Sequence, residues 1–263
     1  MQLLAHLAAA LLTGAPAPIL PPSQDWDERY TYETVRAGDA SSTRVERVSM
    51  EYMATNGTLY MHYRAENERG CEEMSIRCDL TGSNVTATKQ EYTKSGATLS
   101  DATIWVDGSN VHVGQRRDKG GMKIRTRDTG GTPVAAEASL MAMLRFFPFD
   151  TDQTLEVLIA TFTQHFVTMS VRQRGSETIT TPAGTFECYK IEGIVDLYVT
   201  SIKTTYWLTK AKPYFMVRYE GKRGLFLAPT YVTSLSSLVG EQGADRQAHK
   251  PDASLPPVPE PAR

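Results

Sequence analysis

The chain has 263 residues, 41% hydrophobic and 22% charged, with a formal net charge of -2. Such a length suits one large all-β domain or two small ones, and such a composition excludes a disordered or fibrous chain. Near-neutral charge gives no argument for nucleic acid or an anionic membrane as partner, and three cysteines are too few for a disulfide scaffold.

The first elements in chain order are not part of the fold. "LLAHLAAALLTG" is a short apolar run that leads into Ala15-Pro16-Ala17, an A-x-A cleavage pattern. Residues 1–17 are therefore expected to be an export signal, although no Lys or Arg precedes the run and Pro18 would follow the cut. A short helix or an anchor is the alternative reading. The run is too short to span a bilayer, and no later stretch approaches the roughly 20 apolar residues a transmembrane helix needs. Residues 18–26 read as a Pro-rich linker. Residues 241–263 are polar, hold five prolines, and read as a disordered tail.

Between these ends, over residues 27–240, period-two alternation dominates. "TLYMHYRAE" sets Leu59, Met61, Tyr63 and Ala65 opposite Tyr60, His62 and Arg64. "EEMSIRCDL" sets Met74, Ile76, Cys78 and Leu80 opposite Ser75, Arg77 and Asp79. "ATIWVDG" sets Ala102, Ile104 and Val106 opposite Thr103 and Trp105. Turn signals separate these runs, among them Asn56-Gly57, Thr81-Gly82-Ser83 and Asp107-Gly108-Ser109. The spacing predicts a large antiparallel meander.

One stretch breaks the pattern. "TPVAAEASLMAMLRFFPF" offers Thr132 as an N-cap and Pro133 at the first helical position, and it ends at Pro148. Only Glu137, Ser139 and Arg145 interrupt its apolar character. A helix over residues 133–147 that is apolar nearly all round must be buried on most sides. In a strand-rich chain that calls for a curved sheet wrapped around one central helix. The expected fold is therefore mainly β, an open antiparallel β-barrel holding that helix. Strand patterns resume in "TLEVLIATF", "HFVTMSVRQRG", "ETITT", "TFECYKIEGI", "KTTYWLTK" and "YFMVRYEG", and Pro182-Ala183-Gly184 turns the chain between two of them.

No H-E-x-x-H, G-x-S-x-G, phosphate-binding loop or dinucleotide fingerprint occurs, so a non-enzymatic protein without cofactor or metal is expected. His62 and His112 fall on polar faces and read as surface residues. Asp150-Thr151-Asp152 lacks the Gly and the terminal Glu of a calcium loop. Cys71 and Cys78, if on one strand, stand roughly 23 Å apart, which excludes a bridge between them unless Cys71 lies in a turn and the chain folds back. A Cys78–Cys188 bridge has no support from spacing, and the disulfide state stays open. Two groups remain as candidate binding residues. Leu140, Met141, Met143, Leu144, Phe146, Phe147 and Phe215 are candidates to line an apolar cavity, with ordinary core packing as the alternative. Lys123, Arg125 and Arg127 share one strand face and are candidates for an anionic head group, with a solvated edge as the alternative.

The order of these pieces is similar to that in a family of bacterial envelope proteins catalogued as a domain of unknown function. The resemblance rests on "ETITTPAGTF" (Glu177 to Phe186), the Leu144-Arg145 pair, and Trp207-Leu208-Thr209 followed by Pro213, and it covers about Leu140 to Glu220. It implies a fold like the open barrel of the Lol-pathway lipoprotein carrier and receptor. It also implies a periplasmic or secreted bacterial protein and, with the expected concave sheet and apolar helix, a lipid, a lipoprotein acyl chain or a glycolipid as ligand; a structural or scaffolding module with a filled core, no small-molecule ligand and an envelope protein as partner is the alternative. No catalytic residue comes with the resemblance.

Overall fold

Alternating sequence demands a sheet, and the computed structural model, which describes residues 26–53, 55–67, 70–79, 81–117, 121–197, 200–222 and 228–240, contains one sheet of 15 strands. The expected export signal, most of the linker, the tail, and Leu80 lie outside the described residues. The first meander comprises β1 (Trp26–Arg36), β2 (Asp39–Met53), β3 (Thr58–Asn67), β4 (Gly70–Asp79), β5 (Val85–Thr93), β6 (Thr98–Asp107), β7 (Asn110–Arg117) and β8 (Lys123–Asp128). The second comprises β9 (Val134–Ala136), β10 (Thr154–Ala160), β11 (Phe166–Thr181), β12 (Gly184–Leu197), β13 (Thr200–Thr209), β14 (Met216–Lys222) and β15 (Thr230–Gly240). Their spatial order is β8-β7-β6-β5-β4-β3-β2-β1-β15-β14-β13-β12-β11-β10-β9. The β1–β15 pair thus joins the two meanders, with Glu28 opposite Gly240 and Arg36 opposite Tyr231.

The alternation has the consequence its period requires. Leu59, Met61, Tyr63 and Ala65 are buried, as are Met74, Ile76 and Cys78, and Ala102 and Ile104; Val106 is partly buried. Apolar residues of both meanders meet in one core, so the sheet curls until its concave face closes on itself. Register shifts between Thr31 and Tyr32, and between Gln173 and Ser176, mark bulges, which bend and twist a strand locally. Strands β8 and β9 are the sheet's two edges. Where the curl brings the meanders together, the Val134 amide donates to the Gly82 carbonyl at 3.1 Å. Gly82 has a positive φ of 69°, and a Cβ there would fall 2.5 Å from the Val134 backbone.

Two predicted elements differ from those observed. The helix expected over residues 133–147 is much shorter: Val134–Ala136 is a strand parallel to β10, and α1 covers only Leu140–Met143, followed by a 3-10 turn at Leu144–Phe146. Thr132 and Pro133 cap nothing. The reason is competition for backbone partners: the Pro133 carbonyl accepts from Leu158 (2.8 Å) and the Val134 amide finds Gly82, which a helix would forbid. This one parallel pair also departs from the all-antiparallel expectation. "HFVTMSVRQRG" and "ETITT", expected as two strands, are one strand, β11, kinked at the bulge where Gly175 takes φ 114°. The Pro182-Ala183 turn is as expected: Thr181 pairs with Gly184, whose φ is 136°.

Five tyrosines, Tyr30, Tyr32, Tyr52, Tyr63 and Tyr206, are carried into this core. Tyr32 is 1% exposed and its hydroxyl donates to the Met216 carbonyl at 3.0 Å. Burial is the first cause that pushes Tyr30, Tyr32 and Tyr206 well above the ordinary tyrosine value. A raised folded-state pKa means that the native protein keeps a proton the unfolded chain loses above about pH 10. Stability should therefore be unaffected by these groups below about pH 10 and fall as pH rises beyond it, by about 1.4 kcal/mol per pH unit for each group. Urea midpoints at pH 8 and pH 11 check this, and Tyr206→Phe should flatten the alkaline loss.

Candidate functional site

The segment from Ser139 to Phe147 threads the interior of the curled sheet, so its two buried polar residues, Ser139 and Arg145, need partners, while Glu137 before it is exposed. Ser139 is fully buried and donates to the Ala136 carbonyl at 2.9 Å. Arg145 is 3% exposed. Its Nη1 and Nη2 donate to Glu28 Oε2 and Oε1 at 2.6 and 3.1 Å, and its Nε donates to the Pro213 carbonyl at 2.9 Å. The Tyr30 hydroxyl donates to the same Glu28 carboxylate. One guanidinium thus ties the central segment to β1 and to the β13–β14 loop.

The expected cavity residues lie around this anchor. Leu140, Met143, Leu144 and Phe147 are buried; Met141, Phe146 and Phe215 are partly buried and packed on the same core. Phe146 meets Tyr52 with ring centroids 6.2 Å apart, and Phe215 meets Tyr30 at 5.8 Å. Two surface depressions lie elsewhere. One, of about 360 Å³, is lined by the turns at Thr81–Ser83, Gly108-Ser109 and Thr129–Val134. The other, of about 480 Å³, is lined by Asp150, Thr151, Asp152, Gln173 and Gly175.

The expected head-group residues sit on β8, all exposed. Arg127 Nη1 donates to the Phe166 carbonyl (3.2 Å) and Arg125 Nη1 to that of Gln164 (3.5 Å). Gln164 in turn donates from Nε2 to the Lys123 and Val113 carbonyls at 2.6 and 3.3 Å. These side chains bridge the edge of the first meander to the β10–β11 turn.

A further set of residues, absent from the sequence-based candidates, lines the concave face of the first meander. Thr233 and Thr34 share a hydrogen bond at 2.7 Å, and Thr34 donates to Glu46 Oε1 at 2.9 Å. Glu46, 3% exposed, lies 3.6 Å from Arg44 Nε. Arg44 Nη2 donates to both Tyr63 Oη and Glu72 Oε2 at 3.0 Å. Lys89 Nζ bridges Glu72 (3.3 Å) and Glu91 (3.0 Å), and Ser100 donates to Glu91 at 2.8 Å. Burial works against the charges on Arg44 and Lys89, but Tyr63 with Glu72 and Glu46 around Arg44, and Glu72 with Glu91 around Lys89, outweigh it and hold both above their ordinary values. Parity was the available signal: Glu72 alternates in step with Met74, Ile76 and Cys78, and Arg44 and Glu46 in step with Val48, Met50 and Tyr52. These residues form a polar chain across β15, β1, β2, β3, β4, β5 and β6 on a face that is otherwise apolar.

The remaining candidates fall outside it. His62 is exposed on the outer face, and His112, half-buried, stacks on Trp105 at 4.9 Å. All three cysteines are free thiols; burial pushes those of Cys78 and Cys188 up to about 12. Cys71 and Cys78 lie on the same strand, β4, which is the case in which their spacing excludes a bridge. Among the described residues no group of three or more His, Cys, Asp or Glu side chains is placed to hold a metal ion. No helix among them is long and apolar enough to cross a membrane. Among the residues that carry the family resemblance, Arg145 contacts Pro213 and, on the outer face, Glu177 contacts Trp207. There Glu177 Oε2 accepts from Trp207 Nε1 at 2.8 Å and Oε1 from Lys190 Nζ at 2.5 Å. The Lys190 and Trp207 hydrogen bonds hold the Glu177 carboxyl below the usual range.

A single curled sheet around a short buried helix defines a β-barrel-like protein. Among solved structures it is similar to a β-barrel-like protein of the domain of unknown function DUF1849 from Brucella abortus. The TM-score is 0.57 at 8% identity, covering 84% of this chain and 100% of that one. Weaker likenesses are to a candidate exported protein with a YmcC-like fold from Bacteroides fragilis (TM-score 0.31, 16% identity, 83% of this chain and 98% of that one) and a candidate lipoprotein from Parabacteroides distasonis (0.32, 14%, 83% and 97%). The comparison with curated proteins finds no match. The profile of the family described as "Protein of unknown function (DUF3108)" matches residues 29–224, and the chain belongs to that family.

The Arg145–Glu28 pair allows a stability test. Glu28→Ala should leave the guanidinium buried without its counter-charge and cost about 3–5 kcal/mol. The double variant Glu28→Leu with Arg145→Met should recover most of that loss. Urea unfolding midpoints of the three proteins measure both.

Proposed function

We propose that this chain is a non-enzymatic protein of the bacterial cell envelope that binds an amphipathic molecule within its curled sheet: a lipid, a lipoprotein acyl chain or a glycolipid. The carrying observation is the amphipathic interior. One concave face holds apolar rows around Met143 and Phe147 and, on the same parity, the polar chain through Arg44, Glu72 and Lys89. An acyl chain and a polar head ask for those two environments side by side. A likeness to the Lol-pathway carrier and receptor belongs to this proposal, as does export, which the apolar run and the A-x-A pattern at Ala15–Ala17 support. The three cations of β8 are a second candidate contact for an anionic head.

A structural module with a filled core is the other reading. It is favoured by the near-complete burial of Leu140, Met143, Leu144 and Phe147, each at most 4% exposed. A ligand would then have to displace the central segment or enter beside it.

Native mass spectrometry of the protein purified from a bacterial periplasm, before and after chloroform extraction, separates the two. Extra mass that chloroform removes is the expected result, and Lys89→Glu should lower the bound fraction without loss of fold by circular dichroism. A clean unliganded mass, unchanged on incubation with phospholipid and fatty-acid vesicles, would move the weight to the structural module.

A further inference from the structure

The end of the barrel where the central segment leaves the core carries a second constellation. Phe149, Tyr189 and Tyr214 come from three separate stretches: the tail of the central segment, β12, and the β13–β14 loop. They gather at the surface, half-buried. Phe149 and Tyr189 are stacked with centroids 4.4 Å apart, and Tyr214 tilts against Phe149 at 4.9 Å. The adjoining depression is polar. Asp150, Thr151, Asp152 and Gln173 line it, and Gly175, at the bulge of β11, contributes no side chain to its wall. Asp150 is the hinge between the two parts: its Oδ2 accepts from the Tyr189 hydroxyl at 2.8 Å, and its amide donates to Gln173 Oε1 at 2.8 Å.

That second bond fixes the Gln173 amide. Gln173, Asp150 and Asp152 all line the depression, so the Gln173 Nε2 is a donor and the carboxylate oxygens are acceptors available to a ligand there. Phe149 covers one face of Tyr189 and Lys210 lies over its ring, so the Tyr214 ring, beside these donors and acceptors, is the aromatic surface for a molecule with apolar C–H faces and a hydroxyl rim. Two carboxylates, Asp150 and Asp152, in the wall of the depression oppose an anionic ligand there. Backbone conformation supports the assignment: Asp150 and Tyr214 hold positive φ values of 61° and 58°, two of the three non-glycine residues of the described chain that do so. Such conformations persist only where the surroundings enforce them, and they concentrate at ligand sites.

We propose that Phe149, Tyr189 and Tyr214, with Asp150, Asp152 and Gln173, form a saccharide-binding site that takes an uncharged sugar ring of a glycan. This site lies outside the amphipathic interior and does not depend on the lipid reading.

An array of neutral, amino-sugar and acidic oligosaccharides, followed by calorimetry with the best neutral binder, tests it on the full chain. Binding to at least one neutral oligosaccharide is expected. Asp152→Asn, an exposed change with little reach into the fold, should weaken it by roughly tenfold, the loss of one hydrogen bond to a charged group. Tyr189→Ala should weaken it further, with melting curves confirming that both variants are folded. The proposal is overturned by an array without neutral binders, by retention of acidic glycans alone, or by affinity that Asp152→Asn and Tyr189→Ala both leave unchanged.

Discussion

A guanidinium that cannot reach water organises this protein. Arg145 sits in the one segment that crosses the interior, and a buried cation survives only with a counter-charge and filled hydrogen-bond positions. Glu28 supplies the charge from the first strand, and Pro213 supplies a carbonyl from near the end of the chain. The segment, the first meander and the second meander are thereby fixed relative to one another. The strand pairing around Glu28 also joins the two meanders, since β1 carries β2 on one side and β15 on the other. Satisfying one charge and joining the two meanders happen at the same place.

The rest of the architecture follows from how a wide sheet disposes of its edges. Fifteen strands in one sheet curl strongly, because twist accumulates with every strand. The curl brings β8 and β9 to the same side, where side chains of Gln164, Arg125 and Arg127 and one backbone bond from Val134 to Gly82 bridge the gap. A row of charged side chains on β8 also protects an edge that would otherwise offer itself for pairing. The concave face then has two characters. Its middle is closed by the central segment, and towards one end it carries the Arg44–Glu72–Lys89 chain, where paired charges replace apolar packing. The proposed lipid reading and the filled-core reading differ only in whether the apolar part yields to a guest.

Much of this was legible in the residues, and the parts that were not share a cause. The parity of Met61, Ile76 and Ile104 announced the buried face because a strand's side chains alternate strictly. The Pro182-Ala183-Gly184 turn was legible because Pro and Gly restrict or release φ locally. The apolar stretch around Leu140 announced a buried segment, yet its helical extent was overestimated. Pro133 and Thr132 fit a helix start, but Val134–Ala136 was claimed by backbone partners on Leu158 and Gly82, 24 and 52 residues away in sequence number. β11 was divided in two because a glycine at a bulge looks, in sequence, like a turn. The polar chain was missed because its members lie on separate strands: Arg44, Glu46 and Glu72 share the parity of buried neighbours, but only the fold sets them against one another. Asp150 and Tyr189 were unconnected in sequence, and only the fold sets their oxygens 2.8 Å apart.

Sequence by itself determined the class of structure, the buried face of the clearly alternating strands, and the need for an interior segment, because these depend on local period and on the cost of exposing apolar groups. Tertiary structure alone decided which strands pair across the centre, where the interior helix begins, which charges are buried together, and which aromatic rings meet acidic side chains at the surface. Those outcomes depend on partners distant in the chain, and local propensities of a few tenths of a kcal/mol per residue cannot outweigh a backbone hydrogen bond or a buried charge that must be satisfied.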